Sequence, residues 1–347
     1  MKHHTLLSLL ALAACGTDRA PFDDTDAGLD AGTVDGALLV DAPVDEPLLD
    51  APPIDPPPPV LKKVAVVVGY GSRRARSVDG TSWTNFVQVT ANGSDDNDLL
   101  RGIGFGGGTF MAVGGSSDGL VFTSTDGITW SAPNRSLSDW LGNVTYLNGR
   151  FIAAGGNGLR VRSLDKGATW SAGAGHQTVH YRDITNNGTI AVAVGHTHSA
   201  TPNVGIVSST TDGITWTERK RGGQHLGRVV AGNGTFVAAG NAGGISRSTN
   251  GTTWTDQTLL SGGGQVELAW TGTEFIATVG GKHFRSTDGV TWSSSTAAKP
   301  VHGMFNGRYL SLGWPAQIHA SSNLTAWSQV FYPQGSGLTR FVVGEIP

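Results

Sequence analysis

The chain has 347 residues, one cysteine, 51 glycines and a net charge of −3. A single cysteine excludes an internal disulfide, so the fold rests on its core and topology alone. The small net charge hides a split. Residues 16–60 hold eleven acidic residues against one arginine, a net charge of −10, whereas residues 61–347 hold 22 basic and 16 acidic residues, a net charge of +6. Basic runs such as "ERKR" at 218–221 are short and there is no nucleic-acid motif, so the basic excess does not point to DNA or RNA.

In chain order, residues 1–14 come first. One lysine precedes an apolar run from Leu6 to Ala14, the pattern of a secretory signal and too short for a permanent span. The run Leu12-Ala13-Ala14-Cys15 resembles a bacterial lipobox. That resemblance implies cleavage before Cys15 and its lipidation, and stable anchoring takes more than one acyl chain. Gly16 follows, not the aspartate linked with inner-membrane retention, so an outer-membrane lipoprotein is the expectation. A plain secretory signal with an incidental cysteine is the alternative. Residues 15–60, with "DAPVDEPLLDAPPIDPPPP" near their end, hold one aromatic, Phe22, and are rich in Asp, Pro, Ala and Gly; such a chain cannot bury enough surface to offset its ordering entropy, and it reads as an acidic, proline-stiffened tether.

From residue 61 the sequence repeats. "SVDGTSW" ends at Trp83, "STDGITW" at Trp130, "SLDKGATW" at Trp170, "TTDGITW" at Trp216, "STNGTTW" at Trp254, "STDGVTW" at Trp292 and "SSNLTAW" at Trp327, at spacings of 47, 40, 46, 38, 38 and 35 residues. Between boxes, "GRFIAAGGNGLRVRS", "GTFVAAGNAGGISRS" and "GTEFIATVGGKHFRS" share one plan of short apolar strands and Gly-rich turns, with a further short strand upstream. Four short strands per unit of about forty residues, with no helical period, are the pattern of propeller blades. The expected fold is all-β: a seven-bladed β-propeller of four-stranded antiparallel blades over residues 61–347. The first blade, at "KKVAVVVGYG", lacks its upstream strand and "GLTRFVVGEIP" supplies one, so the C-terminal strand is expected to close the ring.

The boxes resemble the Asp-box, or sialidase-type, repeat, with Ser163, Asp165, Gly167, Thr169 and Trp170 giving the fullest match. In that family the box is a structural turn between the third and fourth strands. The resemblance assigns turn roles to Asp79, Asp126, Asp165, Asp212, Asn250, Asp288 and Asn323, and packing roles to the seven tryptophans. The last copy has Asn323 and Leu324 in place of Asp and Gly, so a looser turn is expected there.

Antiparallel blades put all seven boxes on one face, which turns attention to the other, where the inner strands begin. Their opening residues are Arg101, Asn143, Arg182, Arg228, Glu267, Val301 or His302, and Arg340. Four arginines around a channel mouth would attract an anion through their planar, multiply donating guanidinium groups. An arginine opening the inner strand resembles the photosystem II assembly-factor branch of these propellers, whose members bind protein through an arginine patch. The plainer alternative is that each arginine pairs internally, with Glu267 and Asp183 as partners. Outside the boxes, Trp140 and Trp314 fall on the same face, either as exposed stacking surfaces or as covers for the propeller edge.

The mouth therefore defines the expected function: a non-catalytic binding or assembly module at the cell envelope. The expected ligand is an acidic protein segment or anionic glycan, and the chain is expected to be monomeric. The alternatives are a carbohydrate-active hydrolase and a structural spacer. A sialidase would need an arginine triad, a Tyr/Glu nucleophile pair and an acidic proton donor, and the Phe/Tyr-Arg-Ile-Pro motif that starts such domains is absent. Glu267, Asp183, Asp139 and the "SDDND" loop at 94–98 are scattered rather than paired carboxylates. His176, His180, His196 and His198 lie in loops or at strand ends, and nothing in their spacing fixes a metal site, so no metal or cofactor is expected.

Overall fold

The computed structural model describes residues 60–89, 96–173, 178–198 and 202–347. The leader, Cys15, the acidic segment to residue 59, His176 and the start of the "SDDND" loop lie outside the described residues.

Seven four-stranded antiparallel sheets form a ring, in the arrangement expected from the repeat. Blades 2 to 7 run outward in chain order. Their inner strands are Leu100–Gly106, Leu141–Leu147, Val179–Asn186, Leu226–Gly232, Glu267–Trp270 and Gly303–Phe305. Blade 1 takes its inner strand from the C-terminus: Leu338–Ile346 pairs with Lys62–Gly69, with Val64 opposite Gly344 and Val66 opposite Val342. The C-terminal segment thus closes the ring.

The second strand of each blade explains the apolar runs of the sequence. Residues 64–68 (VAVVV), 110–113 (FMAV), 191–194 (AVAV) and 236–239 (FVAA) are fully buried because a neighbouring blade covers each of their faces. The buried apolar side chains form seven clusters, one at each interface between successive blades, and every box tryptophan joins the cluster shared with the preceding blade. Arginines of the preceding blade reinforce two of these seams. The Arg74 guanidinium lies 5.2 Å from the Trp130 ring, and that of Arg160 lies 5.4 Å from Trp216.

The boxes fold as turns between third and fourth strands. In blade 2, Ser124 Oγ accepts the Gly127 N–H at 2.8 Å, while Asp126 Oδ1 accepts those of Ile128 at 2.7 Å and Thr129 at 2.8 Å. These donors hold box carboxylates ionised. In Asp288, the N–H groups of Val290 and Thr291 bring the pKa down to about 2. The last copy is not looser. Asn323 Oδ1 accepts Thr325 and Ala326 N–H at 3.0 Å each, as an aspartate would. Leu324 adopts φ +68°, the left-handed conformation that glycine supplies in the other boxes, and its side chain is buried between blades 6 and 7.

Trp270 is also structural. It lies over Gly232 of the neighbouring inner strand, where a Cβ would come within 2.2 Å of the indole, so only glycine leaves room for the ring.

Candidate functional site at the channel mouth

The inner strands begin on the face opposite the boxes, and the five that matter here each carry a bulge near that start. The ladder runs from Leu100 to Gly102, Leu141 to Asn143, Tyr181 to Asp183 and Leu226 to Arg228, and in blade 1 the register shifts likewise between Leu338 and Arg340. The skipped residues are Arg101, Gly142, Arg182, Gly227 and Thr339. The four arginines therefore do not occupy one matched position. Arg101 and Arg182 are bulge residues; Arg228 and Arg340 come one position later, in the ladder. A bulge re-aims its side chain, and the two pairs have different surroundings.

Arg228 and Arg340 are committed to carboxylates in the channel. Arg228 Nε lies 3.1 Å from Glu267, and an Arg340 guanidinium nitrogen lies 2.9 Å from Asp183. Burial opposes the charge of Arg228, but Glu267 and Asp183 outweigh it and raise its pKa. Burial likewise works against Glu267, yet Arg228, then His302, hold its pKa below the usual glutamate value. Asp183 is 1% exposed and accepts from Asn143 Nδ2 at 2.8 Å and from the Ile184 and Val229 N–H groups at 2.9 Å each. It is a knot between blades 3, 4, 5 and 1. For these two arginines the plainer, structural reading holds.

Arg101 and Arg182 stand at the mouth. Their guanidinium carbons lie 5.0 and 5.1 Å from the ring of Trp140, and Arg101 Nε donates to Gly115 O at 3.1 Å. Trp140 is 8% exposed, with His180 edge-on at 5.4 Å, so of the two alternatives its loop position left open it is not the exposed stacking surface. It is a buried ring within cation–π reach of two guanidinium groups. Arg182 is solvent-exposed but walled by protein; desolvation, then the like charge of Arg101, lowers its pKa. Among the described residues, no carboxylate lies within ion-pair distance of Arg182.

A cavity of about 600 Å³ opens here, lined by Arg101, Arg182, Tyr70, His196, His225 and Gln265 among others. His180 stacks on His198 at 4.1 Å, and His196 meets His225 at 4.6 Å. Burial, then His225 and Arg182, lowers the His196 pKa to about 4, so this ring is neutral near pH 7. Among the described residues no His, Cys, Asp or Glu group is arranged to hold a metal ion. Asp139 is used locally, accepting the Trp140 N–H at 2.9 Å and Asn157 Nδ2 at 2.5 Å. Trp314 lies at the rim, 63% exposed.

Tyr70 and His225 escaped the sequence reading because one is in a blade 1 turn and the other in a blade-to-blade connection. Aligning the inner strands on the buried residue just before the bulge, Leu100, Leu141, Tyr181, Leu226 and Leu338, puts Arg101 and Arg182 immediately after it and Arg228 and Arg340 one residue further.

The fold and mouth define a seven-bladed β-propeller with a cationic rim. No family model matches the chain, and no curated protein matches it. Among solved structures it is similar to YCF48 bound to a D1 peptide, with a TM-score of 0.54 and 20% identity over 77% of this chain and 93% of that one. It is similar to YCF48 from Cyanidioschyzon merolae, with a TM-score of 0.51 and 15% identity over 83% and 95%. It is also similar to a GH74 xyloglucanase from Xanthomonas campestris, with a TM-score of 0.51 and 13% identity, covering 80% of this chain but 53% of the enzyme. At these identities the shared property is the propeller fold.

Proposed function

We propose that the chain is a non-catalytic binding or assembly propeller whose mouth takes an acidic protein segment, tethered at the cell envelope through lipid on Cys15. The observation that carries this reading is the Arg101–Trp140–Arg182 cluster: two guanidinium groups, each about 5 Å from one buried indole, in the lining of a polar cavity. Two planar, multiply donating guanidinium groups in one cavity lining offer a carboxylate several charge-assisted donors at once. The similarity to a propeller solved with a bound peptide supports a protein ligand over a glycan. The turn bonds of all seven boxes support placing the repeats in the Asp-box family.

The hydrolase reading receives less support. Glycoside hydrolysis needs one carboxyl held protonated. Of the two carboxylates in the channel, Glu267 is held ionised by Arg228 and Asp183 is saturated with hydrogen bonds.

The test is titration of a labelled acidic peptide by fluorescence anisotropy. Arg101→Ala with Arg182→Ala should weaken binding by at least tenfold and leave the thermal midpoint within a few degrees of the parent. Unchanged affinity in that double variant would remove the mouth from the function. Labelled-palmitate incorporation that survives Cys15→Ser would remove the lipid anchor.

A further inference from the structure

Beside the arginines the same face carries an aromatic ledge. Trp314 lies in the turn between Arg308–Gly313 and Gln317–Ser321 of blade 7, and it is the one tryptophan with more than half its surface in solvent. It is nonetheless fixed. The ring of Tyr70 meets it edge-on at 5.2 Å and 87°. Its other support is the bare backbone of Gly337, where a Cβ would come within 2.6 Å of the indole. Backbone bonds from Tyr70 N–H to Gly337 O at 3.1 Å and from Ala316 N–H to Gly335 O at 2.9 Å tie the three turns together. Tyr70 also lines the mouth cavity with Arg101, Arg182 and Leu338, so the ledge and the arginine cluster border one continuous surface.

A large aromatic group that is exposed yet rigid contributes little to its own core and offers binding surface at low entropic cost. The two rings stand perpendicular, making an apolar corner rather than an open platform. Such a corner suits a compact apolar side chain better than the flat face of a sugar ring. Resting on the acidic-segment reading above, we infer that the ligand is bipartite: an acidic residue at the Arg101–Trp140–Arg182 cluster and a nearby apolar residue in the Tyr70–Trp314 corner. The arginines select by charge, and the corner selects among acidic segments.

The experiment uses the full chain and two labelled peptides of equal length and charge, one with leucine and one with serine flanking a run of aspartates. The leucine peptide should bind about tenfold more tightly than the serine peptide. Trp314→Ala should bring that ratio close to one and leave the affinity for the serine peptide unchanged, while Trp314→Phe restores most of the ratio. Equal affinities for the two peptides in the parent protein would overturn the inference, as would a ratio that survives Trp314→Ala. Trp314-dependent binding of an anionic oligosaccharide in place of either peptide would overturn it too. Arg101→Ala with Arg182→Ala should weaken both peptides together. A failure of that arm alone sinks the acidic-segment reading, whereas a failure of the Trp314 arm alone sinks only the corner.

Discussion

Asp183 offers the sharpest check on how the mouth is built. Its carboxylate takes four donors: Asn143 Nδ2, the Ile184 and Val229 N–H groups and the Arg340 guanidinium. Asp183→Ala leaves Arg340 with its charge largely buried and its nearest partner gone. Losing one member of a buried pair costs about 3–5 kcal/mol, and each stranded donor adds about 1–3 kcal/mol where water does not reach it. These costs overlap, because the channel admits water to Arg340, and a net loss of about 3–5 kcal/mol is expected. At roughly 2 °C per kcal/mol for a domain of this size, the thermal midpoint should fall by about 6–10 °C. Asp183→Asn, which keeps an acceptor but not the charge, should fall between this variant and the parent. Adding Arg340→Ala to Asp183→Ala should cost less than the sum of the singles, by about 1–3 kcal/mol. Glu345→Ala, which removes an exposed pair with Lys63 at 3.9 Å, serves as the control and should cost under about 0.5 kcal/mol. If Asp183→Ala loses less than about 1 kcal/mol, or its effect simply adds to that of Arg340→Ala, the knot is not what holds the inner strands in register.

The box turns, the seam glycine, the closing strand and the channel histidine each give a further expectation. Asp126→Ala should cost about 1–3 kcal/mol by stranding turn donors and leave peptide affinity unchanged; a stable variant that loses binding would move the site to the box face. Gly232→Ala should destabilise by about 1–3 kcal/mol as the new methyl displaces Trp270, readable as a lower urea midpoint. Deleting residues 337–347 removes the inner strand of blade 1 and should abolish cooperative thermal unfolding near the parent midpoint. His302 gives a pH signature. Burial lowers its pKa from 6.5 to about 4 against the opposing pull of Glu267, and its Nδ1 accepts the Leu312 N–H at 3.1 Å. The unfolded chain therefore takes up a proton before the folded one, so stability should fall as pH drops from 6.5 towards 4. His302→Gln should flatten that slope in urea titrations across the window, and an unchanged slope would assign it elsewhere.

The seven-fold plan was legible because its signal is local and repeated. Each box needs a hydroxyl, a carboxylate or amide, a left-handed position and a tryptophan at fixed offsets, and these offsets survive in the sequence. Ring closure was legible for a related reason: one blade lacked a strand and the far terminus had one to spare. The mouth was only half legible, because a bulge leaves no mark in spacing. Arg101 and Arg228 look equivalent when counted from an arginine. They diverge once counted from the buried Leu100 and Leu226, and one residue of register decides whether a guanidinium lies in the rim or in the channel. Trp140 was left between two alternatives for a different reason. Its loop position placed it on the correct face, but exposure depends on what folds over it, and the two arginines that cover it come from blades 2 and 4. Trp314 and Leu324 mark the opposite limits of local reading. Trp314 stays exposed because Gly337 beneath it has no side chain, and among the described residues Tyr70 is the only ring packed against it. Leu324 holds a left-handed conformation against its own preference because Asn323 keeps both turn bonds and the seam between blades 6 and 7 buries its side chain. In each case the outcome was set by residues from another blade, which is where the sequence pattern ends and packing decides.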